Sequence, residues 1–75
     1  MNPILVESTT LKMVAYDAEH QILHLEFRDR RAYRYFEVPV DVYQSLIGAS
    51  SKGGFFNRLV RGRFAYARIE VTSLS

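Results

Sequence analysis

Three groups of residues in this 75-residue chain have types that could support chemistry: two histidines four apart, a serine pair followed by lysine and two glycines, and an arginine-rich stretch near the C-terminus. His20 and His24 would have metal-ligand spacing on a helix. Here one falls in a polar turn and the other in an alternating strand, with no third ligand nearby, so no metal site is expected. Ser50, Ser51 and Lys52 contain the parts of a Ser-Lys dyad, but neighbours in a loop rarely meet. The eight acids are scattered and define no paired carboxylates. Gly48 to Gly53 satisfies the first half of a phosphate-binding loop, yet Gly54-Phe55 follows where Lys-Ser/Thr is required. The chain is therefore expected to be neither an enzyme nor a cofactor carrier. Anion binding survives this elimination. Ser51, Lys52, Gly53 and Gly54 open a helix, where outward N–H groups and the positive end of the dipole favour an oxyanion. A plain interhelical turn is the competing reading.

Charge sharpens that expectation. The net charge is +2, but residues 1–51 hold five basic and seven acidic side chains, whereas residues 52–75 hold five basic ones against Glu70 alone. Eight of the ten basic residues are arginine, whose planar fork suits phosphate and carboxylate. A solvated surface is the ordinary reading of such a run; an acid-free stretch in a nearly balanced chain favours an anionic partner. Arg61-Gly62-Arg63-Phe64-Ala65-Tyr66 resembles, with one residue inserted, the strand by which RRM domains stack bases. The early helix of that fold is missing, so only the combination of basic residues flanking aromatics carries over.

The elements that must position these residues are legible from periodicity. Leu11 to Tyr16, Ile22 to Arg28 and Ala32 to Val38 read as strands, although Val14 and Tyr16 compete with Leu11 and Met13 for the core face. A three-residue loop at 29–31 would set Phe27 opposite Tyr33 and Leu25 opposite Tyr35, matching apolar with aromatic. That register favours framework over a stacking surface for both tyrosines and turns Arg34 to the other side, beside His24 or Arg28. After Pro39 the spacing of Val42, Leu46 and Ala49 is helical, and Phe55, Phe56, Leu59 and Val60 form a second, shorter stripe stopped by Gly62. Phe64 to Val71 alternates again, with Phe64, Tyr66, Arg68 and Glu70 on one side. The expected fold is α+β, a small antiparallel sheet in the order β-β-β-α-α-β with two short helices on one face. One domain over residues 8–71 is expected, with tails at 1–7 and 72–75.

Composition limits the alternatives. With 48% apolar and 13% aromatic residues the chain is too hydrophobic for a disordered tail. The absence of cysteine removes disulfides and thiolate zinc sites. The uninterrupted apolar runs in the first twenty residues, Ile4-Leu5-Val6 among them, are too short for a signal peptide. Nothing approaches a membrane span, so a cytoplasmic location is expected.

Val14-Ala15-Tyr16-Asp17, Leu25-Glu26-Phe27, Tyr33-Arg34-Tyr35, Val38-Pro39, Val42-Tyr43, Ala49-Ser50-Ser51-Lys52-Gly53, Phe56-Asn57 and Arg61-Gly62-Arg63-Phe64 together resemble the KTSC domain. That family is named for a C-terminal extension of some lysyl-tRNA synthetases and also occurs as single-domain bacterial proteins. The resemblance covers about residues 8–69, and departs from the family where Arg30 or Arg31 replaces a hairpin glycine. It implies RNA as a partner only by association with a tRNA-charging enzyme. The expectation is a non-catalytic module binding RNA through Arg34, Lys52, Arg58, Arg61, Arg63 and Arg68, with Tyr66 or Phe64 as a stacking surface. The alternative is a protein-interaction domain, self-association included, that uses a bare sheet face containing Ile22, Phe36 and Val38, or a free strand edge.

Overall fold

The structure, a computed structural model, describes residues 3–6 and 10–70. Five strands form one antiparallel sheet in chain order: β1 (Ile4–Leu5), β2 (Leu11–Asp17), β3 (Ile22–Phe27), β4 (Arg31–Tyr35) and β5 (Tyr66–Glu70). Between β4 and β5 the chain makes α1 (Val40–Gly48), α2 (Lys52–Phe55) and a π-helical turn over Phe56–Val60. These helices cover one sheet face. Leu46, Phe55, Phe56 and Val60 meet Leu11, Val14, Leu23, Leu25, Phe27, Tyr35 and Val38 in a single core.

Strand β2 offers two competing apolar sets, and a β-bulge between Leu11 and Met13 brings Leu11 from one and Val14 and Tyr16 from the other onto the core face. The extra residue reverses the side-chain phase, so Leu11, Val14 and Tyr16 all turn to the helices while Met13 and Ala15 turn away. Tyr16 stacks on Tyr43 of α1 at 4.7 Å, and its hydroxyl donates to the Val38 carbonyl.

The β3–β4 hairpin keeps the expected parity but lies two residues from the expected register. Its loop is 28–30, so Leu25 faces Tyr33 and Leu23 faces Tyr35. Arg30 takes the left-handed position, φ 72°, that glycine would normally fill. Asp29 steadies the bend, accepting from the Arg31 N–H at 3.1 Å and from its guanidinium Nε at 2.7 Å.

Three other expectations change. Within the segment expected as an N-terminal tail, Ile4–Leu5 is a strand paired with β2 and Val6 is buried; residues 1, 2, 7 and 71–75 lie outside the described region. Leu59 is exposed although it was placed in the second apolar stripe, because the wider π turn rotates it outward. Val38 was placed on the bare sheet face, yet it is fully buried in the core.

Candidate functional site

The sheet and the π turn border a cleft of about 440 Å³, lined by residues from five separate segments, with Thr10 just ahead of β2 as one of them. β3 and β4 supply Phe27, Arg31, Tyr33 and Tyr35, the π turn supplies Phe56 and Asn57, and Arg61, Gly62 and Tyr66 follow in sequence. Register explains the convergence. Tyr35 stands opposite Tyr66 and Tyr33 opposite Arg68, so all four side chains rise from the helix-covered face. The hydrogen bond from the Arg61 N–H to the Phe56 carbonyl at 2.9 Å closes the π turn. Gly62, at φ 80°, then redirects the chain into β5.

The aromatic groups form a connected set. Tyr66 meets Tyr33 edge-on at 5.6 Å and Tyr35 at 5.5 Å, and Phe56 abuts both Tyr35 and Phe27. Tyr35 is buried, while Tyr66 remains 59% exposed, an unusual position for a tyrosine held on two sides. Burial pushes the Tyr35 phenol up to about 12. The neighbouring Tyr33 and Tyr66 hydroxyls add to the rise, and the Arg61 guanidinium opposes it. At neutral pH Tyr35 therefore stays protonated and able to donate. The Asp29 carboxylate holds the Arg31 guanidinium above its ordinary range, with a further contribution from Tyr33. Arg31 also sits 5.6 Å from the Phe27 ring centre. Among the described side chains no carboxylate lines the cleft and Arg61 makes no ion pair, while Arg31 is paired with Asp29 at 2.7 Å. Chemically it is an aromatic slot edged by donors.

The residues expected to bind nucleic acid divide between two sides of the sheet. Arg61, Tyr66 and Arg68 lie on the cleft side, and Arg58 and Arg63 are exposed on the segment leading into β5. Arg34 faces the opposite surface, where with Pro3, Met13, Ala15 and His24 it lines a hollow of about 220 Å³. Arg34 therefore does not share a side with Arg61 and Arg68, and the arginine that lines the cleft from the hairpin is Arg31, paired with Asp29. Phe64 is half-buried against the core, which leaves Tyr66 as the exposed stacking surface.

The expected anion loop spends its groups internally. Ser51 Oγ accepts from the Gly54 N–H at 3.2 Å, and the Lys52 amine donates to the Ala49 carbonyl at 3.1 Å, capping α1. Gly53 is buried, with Thr10 Oγ1 2.9 Å from where a Cβ would sit. The two histidines part company. His20 pairs with Asp17 at 2.8 Å in the β2–β3 turn, whereas His24 is buried on the opposite sheet face, 3.2 Å from Glu26. Asp17, Glu19 and His20 bring ligand atoms within 4.8 Å of one another. Asp17 Oδ1 is already engaged there by two backbone N–H groups.

Sequence reasoning missed Arg31 and Asn57 as cleft residues and favoured framework over a stacking surface for Tyr33 and Tyr35. The available signal was parity: Tyr33, Tyr35 and Tyr66 alternate onto one face, and Arg31 shares it.

Comparison with known proteins agrees with this architecture. A family model described as the KTSC domain matches residues 7–64. A protein of Tsukamurella paurometabola is 42% identical over 59 residues, covering 79% of this chain and 88% of its own length. A protein of Stutzerimonas stutzeri is 38% identical over 71 residues, covering 93% of this chain and all of its own. The lysine–tRNA ligase of Nostoc punctiforme is 35% identical over 63 residues, which are 84% of this chain but 11% of the ligase. The crystal structure of a KTSC domain protein from Yersinia pestis superposes with a TM-score of 0.88 at 31% identity, covering 91% of this chain and 96% of that one. With the family model, close relatives and a whole-domain structural match in agreement, the chain belongs to the KTSC domain family.

Proposed function

We propose that this domain is a non-catalytic module that binds single-stranded RNA across the aromatic cleft. The observation that carries the reading is the meeting of Arg61, three tyrosines and Arg31, which Asp29 pairs, around one slot. Single strands are held by cations along the backbone and by aromatic rings under the bases, and this site offers both. Lysine–tRNA ligase is by name an enzyme acting on tRNA, so a similar region within it supports RNA over other polyanions. Arg58, Arg63 and Arg68 extend the charge beyond the slot.

Titration with tRNA and a mixed single-stranded oligonucleotide at two salt concentrations tests the proposal. With two to four phosphate contacts, log affinity should fall against log salt with a slope of roughly −1.5 to −3. Arg61→Glu should abolish binding, whereas Arg34→Glu, on the other side of the sheet, should lower it only slightly. No binding at low salt, or equal losses in the two variants, would remove the proposal. A second reading uses the opposite face, where Leu5 is 79% exposed beside Met13. There, association with protein would survive the salt that strips phosphate contacts.

A further inference from the structure

Resting on the RNA reading, we infer that the cleft recognises one nucleotide unit at a time, the base against Tyr66 and its phosphate beside Arg61. Size is the first argument. About 440 Å³ lies near the lower end of the roughly 300–1,000 Å³ of small-ligand sites, a size that suits one base, sugar and phosphate. Preorganisation is the second. Contacts with Tyr33 and Tyr35 fix the Tyr66 ring, although more than half of the residue's surface is open, so stacking on it immobilises little. The distribution of donors is the third. Arg61 and the protonated Tyr35 stand beside the ring, and the Asn57 amide, which both donates and accepts, lines the same slot within reach of a base edge.

A duplex cannot offer such a unit, because its bases are stacked and paired. The inference therefore selects single-stranded or terminal nucleotides. It also separates this cleft from a flat basic surface, which would gain affinity only with the number of phosphates.

The test is a titration of the intact chain with adenosine monophosphate, uridine monophosphate, adenosine, inorganic phosphate, a single-stranded oligoadenylate and a hairpin duplex. The chain lacks tryptophan and three of its five tyrosines line the cleft, so tyrosine fluorescence and the NMR signals of Tyr33, Tyr35 and Tyr66 give a direct readout. The monophosphates should saturate the cleft signals, with adenosine and inorganic phosphate each at least tenfold weaker. Tyr66→Ala, a change at an exposed side chain, should weaken monophosphate binding by roughly 5- to 100-fold. Oligoadenylate binding without any response to the monophosphates would overturn the inference and leave the RNA reading standing. Unchanged monophosphate affinity in Tyr66→Ala would do the same. Failure of every nucleic acid tested would remove both.

Discussion

Arg30 holds a left-handed backbone at the tip of the β3–β4 hairpin, where a side chain other than glycine costs about 1–2 kcal/mol. Glycine would relieve that cost but adds about 0.4–1 kcal/mol of chain entropy to the unfolded state. Arg30→Gly should therefore stabilise the domain by about 0.5 kcal/mol, read as a higher urea midpoint. A lower midpoint would show that the Arg30 side chain contributes a contact worth more than the strain. A second residue-scale effect concerns acid. The hydrogen bond with His20 holds the Asp17 carboxyl below its usual range, assisted by backbone N–H groups. A depressed carboxyl contributes stability above its unfolded pKa and loses it as pH falls through the folded value. Melting temperatures should thus drop more steeply below about pH 4 in the wild type than in Asp17→Asn. Parallel acid profiles would show that the ion pair adds nothing.

At the scale of elements, two glycines make opposite predictions. Gly48 ends α1 with open space around it, whereas Gly53 in α2 sits against Thr10. Gly48→Ala should raise stability by up to about 0.5 kcal/mol through helix propensity. Gly53→Ala should lower it by on the order of 1 kcal/mol, since crowding exceeds the same gain. Thermal melts of the two variants moving in the same direction would contradict this account of α2. The elements were largely legible because alternation and helical spacing persist over five or more residues. What escaped was decided by pairing across strands. The bulge in β2 depends on β3, and the hairpin register on whether Arg30 accepts a left-handed backbone. The strand at Ile4–Leu5 exists only because Val14 and Met13 present an edge to it. The cleft was half legible, since Tyr66, Arg61 and Arg68 carry local signals. Arg31 and Asn57 reach it only through the hairpin register and the π turn.

On the scale of the whole molecule, the sheet divides the surface into two unlike sides, an aromatic cleft and a face carrying Arg34 and His24. Each strand pairs with its neighbour in the chain, so four of the five strands join through short connections. The last seam, between β4 and β5, must wait for thirty intervening residues to be looped back. Loop-closure entropy makes that seam the costliest to zip and, after the two-residue β1 edge, the next to open. Amide hydrogen exchange should accordingly be faster along Tyr66–Glu70 than between β2 and β3; equal protection would mean that the sheet opens only as one unit. If the seam does part on its own, Tyr66 and Arg68 leave Tyr35 and Tyr33 while the core hairpins persist. A strand bound as proposed would then be shed by peeling back a single ribbon, with release governed by a partial opening rather than by dissociation from a rigid surface.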